Sequence, residues 1–324
     1  MDHYEILEVS HKASQEVIEA AYRTLVKSAG DVGRKKYALN AAKDILFDPI
    51  EREKYDKTLG KKKPGKQFGN YRILEMIAEG GFGKTYKAVQ ETLDTLVCIK
   101  HAHQISAQDE EILLDEARAI WDLRHFSIPC MRDILKMEDD SLALVMSYVP
   151  GPTIEQIVEK HGAIDAEHVA WICERALNAL KYLHYHGVVH GDVKPQNIIV
   201  QPDTHTVVIV DYGLSLIRSK NKSSKGYTPF FAAPEQIKGD VGLLPESDFY
   251  GLGMTMIHAL GGDVAGKKVP DSTPEPLCDF LKSFIKHSAL ERPNWNKVDL
   301  CESIHHVREK SFGRRYSSLK PLKY

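Results

Sequence analysis

Residues 190–197 read HGDVKPQN and residues 211–213 read DYG, and these two polar stretches decide how the rest of the 324-residue sequence is interpreted. Asp211 lies fourteen positions after Asn197. The apolar run at 207–210, VVIV, predicts a buried strand that ends at Asp211. A carboxylate at the end of such a strand is typical of a functional site rather than of a hydrophobic core.

The sequence on either side of these stretches predicts a change from strands to helices. Residues 71–100 predict three short strands, YRILEMIAE, GKTYKAVQ and TLVCIK. Gly80, Gly81 and Gly83 lie in the hairpin between the first two. Because these glycines have no Cβ atom, the backbone N–H groups of the hairpin can close over phosphate groups. From about residue 154 to about residue 304 the apolar pattern is mostly helical.

The order and spacing of the motifs resemble those of the protein kinase family. The glycine-rich hairpin is followed by VCIK at 97–100, HGDVKPQN, DYG, APE at 233–235, Asp248 and Arg292. This resemblance implies an α+β, two-lobed protein kinase fold, with a small β-rich N-lobe and a helical C-lobe. It also implies transfer of the γ-phosphate of ATP to a protein hydroxyl with Mg²⁺, or Mn²⁺, as the metal.

The resemblance implies a role for each residue of the predicted catalytic site. Asp192 is expected to accept the proton of the substrate hydroxyl, and Lys194 to neutralise charge on the transferred phosphoryl group. Lys100 is expected to hold the α- and β-phosphates, with Glu116 as the carboxylate that positions it. Thr228 is expected to help orient the substrate. The implied metal ligands are Asn197 and Asp211.

A nucleotide pocket is implied as well. LALVMSYV at 142–149 resembles the hinge, whose backbone is expected to meet the adenine edge, with Met146 at the rear of the pocket. Cys98 stands where the family has alanine and is either a small apolar lining residue or a reactive thiol. The cofactor-binding residues implied by the resemblance are Ile77, Ala78, Gly80, Gly81, Phe82, Gly83, Thr85, Cys98, Lys100, Met146, Ser147, Tyr148 and Val149.

Two departures from the family pattern bear on activity. Ala78 replaces the first glycine of the hairpin, which loosens one close approach to the phosphates. Gly191 replaces an arginine whose charge, in many kinases, is balanced by a phosphate on the activation segment, the stretch between DYG and APE. The site is therefore expected to assemble without that phosphate. Lys194 and Thr228 are typical of Ser/Thr kinases, and autophosphorylation is expected. The lysine, the catalytic aspartate and the metal ligands are all present, which favours an active enzyme over the alternative of a pseudokinase scaffold.

Residues 1–59 predict a separate all-α hairpin. They resemble a J-domain, the helical hairpin found in partners of heat-shock chaperones, but the loop at 28–33 lacks the family's His-Pro-Asp. Three alternatives follow: a J-like docking module with its own protein partner, a hairpin that only stabilises the larger domain, or a J-type co-chaperone. The resemblance rests on Tyr4, Asp48-Pro49, Arg52 and Tyr55-Asp56.

Composition and charge set the remaining expectations. Hydrophobic residues make up 43% and charged residues 27%, the usual balance of a globular protein, and the net charge of −2 gives no reason to expect a nucleic acid partner. No apolar run is long enough for a membrane span, and five scattered cysteines favour a reducing, cytoplasmic location. The predicted organisation is a J-like module at 1–59, a basic linker at 60–70, a protein kinase domain at 71–304 and a basic tail at 305–324.

Overall fold

The computed structural model divides the chain into two compact units, one ending at Lys66 and the other beginning at Gln67. Each unit has its own hydrophobic core. The residues that the structure describes are 3–29, 33–59, 67–80, 83–101, 107–137, 139, 141–202, 204–212, 216–217, 229–239, 242–315 and 322.

The first unit consists of helices. Gln15 Nε2 donates to the carbonyl of Phe47 (3.3 Å), and the Tyr22 hydroxyl donates to Asn40 Oδ1 (2.8 Å). The start of α2 (Gln15–Ala29) therefore lies beside the end of α3 (Gly33–Leu46), and the two helices run antiparallel. Asp48 ends the hairpin because its Oδ1 accepts the N–H groups that open α4. The helices are α1 (His3–Ile6), α2 (Gln15–Ala29), α3 (Gly33–Leu46) and α4 (Pro49–Leu59).

The buried Tyr4 connects the two ends of this unit. Its hydroxyl donates to Asp56 Oδ1 (2.7 Å) and accepts from Arg52 Nε (2.8 Å). Arg52 also donates through Nη2 to the carbonyl of Ala13 (2.8 Å). Burial and the Asp56 carboxylate raise the pKa of Tyr4, so the phenol stays protonated as a donor. The charged residues of α4 thus hold α1 against the hairpin.

The second unit opens with an antiparallel sheet of six strands in the order β1-β2-β3-β4-β6-β5. One face is covered by a small aromatic and aliphatic core around Phe68 and Tyr86. The other face packs on α5 and joins the main core. The strands are β1 (Gln67–Phe68), β2 (Tyr71–Gly80), β3 (Gly83–Gln90), β4 (Thr95–His101), β5 (Met131–Lys136) and β6 (Leu142–Ser147); α5 (Ala107–Ile120) lies between β4 and β5.

Strand β1 corrects the predicted linker, which extended to residue 70. Phe68 is fully buried, and its ring meets that of Tyr86 edge-on at 5.8 Å between centroids. Gln67 and Phe68 pair with Arg72 and Tyr71 across a turn. Residues 67–70 therefore belong to the sheet of the second unit.

The rest of the second unit is mainly helical. Helix α9 is buried on almost all sides, which explains its mostly apolar sequence after the first turn. Short 3₁₀ helices lie at Pro195–Asn197 and Ala289–Glu291. The remaining elements are α6 (Ile154–His161), α7 (Ala166–Tyr185), β7 (Val188–Val189), β8 (Ile198–Gln201), β9 (Thr206–Ile209), β10 (Leu216–Ile217), α8 (Pro234–Lys238), α9 (Pro245–Ala259), α10 (Glu275–Phe284) and α11 (Leu300–Phe312).

Helix α11 corrects the second predicted boundary, a tail beginning at residue 305. Ile304 and Arg308 lie one turn apart on the buried face of the helix. Arg308 contacts the buried carboxylate of Glu174 on α7, so a charged residue that suggests a solvated tail is part of the fold. Residues 305–312 therefore complete the helical part of the second unit.

A buried ion pair joins α8 to the loop before α11. Arg292 donates from Nη1 and Nη2 to the two carboxylate oxygens of Glu235, at 2.6 and 2.9 Å. Its other three N–H groups donate to the carbonyls of Glu246, Lys286 and His287. All five donors of the guanidinium are thus used. Burial alone would raise the pKa of Glu235, but the hydrogen bonds from Arg292 lower it below its usual value.

Among the residues that the structure describes, no helix combines the length and the apolar character needed to cross a membrane.

We expect Glu235→Gln to destabilise the protein by about 3–5 kcal/mol at neutral pH, because it leaves the buried Arg292 charge without its partner. The lowered pKa means that the stability from the Glu235 carboxylate is present above its usual value of 4.5 and is lost as the pH falls below it. The difference between the variant and the wild type should therefore shrink on acidification.

Urea denaturation of both proteins across that pH range measures the effect. The control is Glu111→Gln, since Glu111 faces Arg118 on the surface and its loss is expected to cost under about 1 kcal/mol. A Glu235→Gln deficit that stays constant with pH would contradict the assignment of the ion pair.

Candidate active site

A cavity of about 240 Å³ is lined by both the sheet and the helical part of the second unit. Many of the residues predicted from the sequence meet on its walls. They are Ile77, Ala78, Thr85, Cys98, Lys100, Met146, Ser147, Tyr148 and Val149 from the predicted nucleotide pocket, and Asn197 and Asp211 from the predicted metal site.

Strand register brings the sheet residues together. Cys98 and Lys100 are two positions apart on β4 and therefore lie on the same face of the sheet. Met146 pairs with Cys98 from β6, while Thr85 pairs with Lys100 from β3. Ala78 continues the second row by pairing with Thr85 from β2. Two adjacent rows across the sheet thus form one wall of the cavity.

The backbone after β6 forms the edge of the cavity. The N–H of Ser147 donates to the carbonyl of Cys130 (2.9 Å), and the Ser147 hydroxyl accepts from the N–H of Cys130 (2.9 Å). Ser147 therefore commits its N–H to the neighbouring strand. Tyr148 and Val149, the next two lining residues, carry the backbone groups that a planar ligand would meet at this edge.

Lys100 and Asp211 form an ion pair across the cavity, with 2.6 Å between Nζ and Oδ1. Burial tends to raise the pKa of Asp211, but the Lys100 ammonium, with His190 and Lys194 contributing, lowers it to about 2. Asp211 is thus ionised at neutral pH. It also has φ of +68°, a left-handed conformation that is uncommon and strained for a residue other than glycine.

The HGDVKPQN stretch folds into a compact loop. Lys194 Nζ lies 2.6 Å from Asp192 Oδ2. Asn197 Nδ2 donates to the backbone carbonyl of Asp192 (2.9 Å) and to its carboxylate (3.1 Å). The carbonyl of Asn197 accepts from the N–H of Val210 (2.9 Å), which ties the loop to the residue before Asp211. The two polar stretches of the sequence therefore meet.

Hydrogen bonds and a ring contact join the same loop to the segment around Asp211 and Tyr212. His190 Nδ1 accepts from the N–H of Asp192 (3.2 Å), so its Nε2 carries the proton that is donated to the carbonyl of Val210 (3.1 Å). The ring of Tyr212 lies 4.8 Å from that of His190, and the buried Tyr212 hydroxyl donates to the carbonyl of Ile209 (3.1 Å). The tyrosine of DYG is thus packed as an aromatic residue and satisfied as a polar one.

Asn197 and Asp211 offer ligands that fit a magnesium ion. The Asp211 carboxylate is ionised, and the Nδ2 group of Asn197 faces Asp192, which leaves its carbonyl Oδ1 for a cation. Within the described part of the chain, no three His, Cys, Asp or Glu side chains gather as metal ligands. A site with two protein oxygens, completed by phosphate oxygens and water, is the arrangement that Mg²⁺ prefers over a full protein cage.

Asp248, at the start of α9, holds the backbone of the loop. Its Oδ2 accepts the N–H of His190 (2.8 Å) and its Oδ1 accepts the N–H of Gly191 (2.7 Å). The carbonyl of Gly191 accepts from Gln236 Nε2 (2.8 Å). Gly191 has φ of +79°, a conformation that favours glycine over the arginine of many kinases. Neutral hydrogen bonds and one carboxylate therefore fix the residue before Asp192.

Other predicted residues do not line the cavity or lie outside the described residues. Gly80 and Gly83 pair at the end of the β2–β3 hairpin, and Gly83, Asp192 and Lys194 are not among the described residues that line the cavity. Glu116 is on α5, but its side chain lies outside the described residues, as do Gly81, Phe82 and Thr228.

Other residues that line the cavity were not predicted from the sequence. Gly151 has φ of +127°, and a Cβ there would lie 2.4 Å from the carbonyl oxygen of Val200, so only glycine fits. The PGPT run after the β6 strand was a signal for this turn. The missed residues are Pro129, Gly151, Thr153, Gln156, Gln196, Ile199 and Val210.

The second unit matches a known family. A family model described as "Protein kinase domain" matches residues 71–309. Serine/threonine-protein kinase pkn3 of Myxococcus xanthus is 31% identical over 206 residues, which cover 59% of this chain and 38% of the relative. Serine/threonine-protein kinase PrkC of Bacillus subtilis is 30% identical over 238 residues, covering 70% of this chain and 35% of the relative.

A third relative matches a similar share of the chain. Serine/threonine-protein kinase PknA of Mycobacterium tuberculosis is 31% identical over 249 residues, which cover 69% of this chain and 57% of the relative. The chain spans between 35% and 57% of the length of these three curated relatives. The likeness therefore concerns one domain of longer proteins.

We expect Gly191→Ala to lower the free energy of unfolding by about 1–3 kcal/mol, because a Cβ is strained at this φ while both backbone groups of residue 191 are held. Urea denaturation measures the loss. The control is Gly242→Ala, where a Cβ would meet nothing within 4 Å and the change should stay within about 0.5 kcal/mol. Equal effects of the two substitutions would show that Asp248 does not enforce this conformation.

Proposed function

Because the chain belongs to the protein kinase family, matched over residues 71–309, we propose that it transfers the γ-phosphoryl group of ATP to Ser or Thr hydroxyls of proteins. The observation that carries the proposal is that Lys100, Asn197 and Asp211 line one cavity of the second unit, while Asp192 is hydrogen-bonded to Asn197. Their side chains supply a cation for phosphates, a base and two metal ligands within a few hydrogen bonds of one another. The names of the relatives support the Ser/Thr class.

In the proposed reaction the protein mainly positions the reacting groups and neutralises the charge of the phosphates. Asn197 Oδ1 and the Asp211 carboxylate would hold Mg²⁺, which when bound neutralises the phosphate oxygens. Lys100 Nζ, which is paired with Asp211 in the structure, would bind the α- and β-phosphates. Asp192 would orient the substrate hydroxyl and accept its proton, while Lys194, 2.6 Å away, would stabilise the charge on the moving phosphoryl group.

The nucleotide would lie against the two rows of the sheet. The adenine would pack on the apolar wall that contains Met146 and Ala78. Its edge would face the backbone of Tyr148 and Val149. Since the N–H of Ser147 is committed to Cys130, Ser147 is assigned the role of a strand residue rather than of an adenine donor. We propose that the glycines at 80–83, with Phe82, cover the phosphates and that Glu116 positions Lys100.

Acceptor specificity rests on Lys194 and Thr228. We propose that the Thr228 hydroxyl bonds Asp192 and Lys194 and so selects the shorter Ser and Thr side chains, with autophosphorylation among the reactions. The hydrogen bonds that fix Gly191 support a site that assembles without a phosphate on the activation segment. Five cysteines without a disulfide are consistent with a reducing compartment such as the cytoplasm.

We expect Asp192→Asn to lower phosphate transfer by at least about 10³-fold, since it removes the base without changing the shape of the residue. Lys100→Met should have an effect of the same order. Transfer of radiolabelled γ-phosphate to a protein substrate and to the chain itself measures both, with and without a chelator for Mg²⁺.

The matched controls are Asp271→Asn and Lys84→Met, which alter an exposed carboxylate and a lysine paired with Glu79 outside the cavity. Both should leave transfer unchanged. If wild-type protein and Asp192→Asn incorporated the same label, the chain would act as a non-catalytic scaffold. Label incorporated in the presence of the chelator would contradict the role proposed for Asn197 and Asp211 as metal ligands.

For the first unit we propose a J-like docking module joined by a basic linker to the kinase domain. The contacts among Tyr4, Arg52 and Asp56 support a folded hairpin built on the residues that resemble the J-domain. The absence of His-Pro-Asp at 28–33 argues against stimulation of a chaperone ATPase. The module would instead bind a protein partner or substrate.

We expect the full chain not to accelerate the ATPase of a heat-shock chaperone, because the tripeptide that does so is missing.

We expect Arg52→Ala, which removes the bonds to Tyr4 and Ala13, to lower phosphorylation of protein substrates while leaving phosphorylation of a short peptide unchanged. Steady-state assays on both substrates measure this, with Arg23→Ala on the exposed surface as the control. Chaperone stimulation, or equal activity of both variants on every substrate, would contradict the docking role.

A further inference from the structure

Trp295, in the loop before α11, reaches the interior behind residues 190–197. These residues form the catalytic loop of the proposed function. Its indole Nε1 donates to Nδ1 of the buried His184, at 2.8 Å. The other ring nitrogen of His184, Nε2, lies 2.7 Å from Asp248 Oδ2. A chain of three side chains therefore leads from a surface loop to the carboxylate that holds the backbone of His190 and Gly191.

The direction of each hydrogen bond in this chain follows from the chemistry of its members. An indole nitrogen can only donate, so His184 Nδ1 must accept and carries no proton. The proton of the neutral imidazole is then on Nε2 and is donated to Asp248. In the other tautomer a lone pair of Nε2 would face the carboxylate at 2.7 Å, which is repulsive, and the indole N–H would lose its acceptor.

This tautomer completes the set of donors around Asp248. The side chain of Asp248 is fully buried, and the ionised form in that setting needs several donors. It has three: Nε2–H of His184 and the N–H groups of His190 and Gly191. The carboxylate can hold the loop only while its third donor is in place.

We propose that Trp295 is a positioning residue for the catalytic loop: its indole N–H holds His184 in the Nε2–H tautomer, and His184 thereby keeps Asp248 aligned on the backbone that carries Asp192. The inference rests on the proposed function, because its consequence is measured as phosphate transfer. Trp295 itself is not among the described residues that line the cavity.

The placement of the indole supports this role. Its ring packs edge-on against Phe249 at 5.2 Å between centroids, and Lys181 Nζ lies 5.9 Å from its centroid. Three residues earlier, Arg292 is anchored by the carboxylate of Glu235. One short loop therefore carries both the ion pair that holds α8 and the donor that fixes His184.

The test is Trp295→Phe, which keeps an aromatic ring but removes the N–H donor together with part of the ring volume. We expect the maximal rate of phosphate transfer to fall roughly tenfold, as for a buried hydrogen bond lost from the network, while the KM for ATP stays within about twofold. The matched control is Trp171→Phe. Trp171 is buried, but its Nε1 has no hydrogen-bond partner among the described residues, so the rate of this variant should equal that of the wild type.

Nitrogen-15 NMR of the histidine side chains gives a readout that simple packing would not move. In the wild type we expect His184, assigned through His184→Gln, to show a protonated Nε2 and a hydrogen-bonded, unprotonated Nδ1. In Trp295→Phe the Nδ1 signal should shift toward a mixture of protonation states, and in Trp171→Phe it should not.

Each outcome decides the matter. A wild-type His184 with its proton on Nδ1 would overturn the proposal without any variant at Trp295, which covers the case in which Trp295→Phe does not fold. Unchanged transfer in Trp295→Phe, or slowed transfer with an unchanged His184 signal, would overturn it as well. Failure of the proposed function is distinguishable, because then Asp192→Asn and the wild type would incorporate equal label.

Discussion

The buried carboxylate of Asp248 is the constraint on which the geometry of the site depends. It accepts three N–H groups at 2.7–2.8 Å, two of them from the backbone just before Asp192. The two residues before it serve the neighbouring ion pair: the carbonyl of Glu246 accepts from Arg292, and the Ser247 hydroxyl donates to Glu235. The first turn of α9 therefore orients both the catalytic loop and α8, and the apolar remainder of α9 fixes that turn in the core.

Much of the cavity was predictable because it depends on local periodicity. Strand alternation puts Cys98 and Lys100 on one face, and antiparallel pairing brings Thr85 and Met146 beside them. The strand at 206–209 leads directly to Asp211, as the apolar run predicted. Where a motif residue sits at the end of a regular element, its sequence position determines where its side chain lies.

Features that depend on contacts between distant segments were not predictable in the same way. Strand β1 is two residues long and exists because Phe68 enters a core formed by residues far along the chain. The extension of α11 depends on Glu174, which is 134 residues away from Arg308. Likewise, nothing near Trp295 in the sequence points to His184. In each case a polar or isolated residue acquires its role only from a partner that the fold supplies.

The hydroxyl of Tyr212 affects how readily the ring of this residue can leave its buried position. A phenylalanine could leave its buried position at the cost of apolar contacts alone, whereas Tyr212 must also give up its hydrogen bond to Ile209. A bond worth about 1 kcal/mol changes the ratio of two conformations roughly fivefold. Ligands that need the ring to swing outward would therefore bind this chain more weakly than an otherwise identical one with phenylalanine. The extra oxygen biases the chain toward compounds that leave the ring where it is.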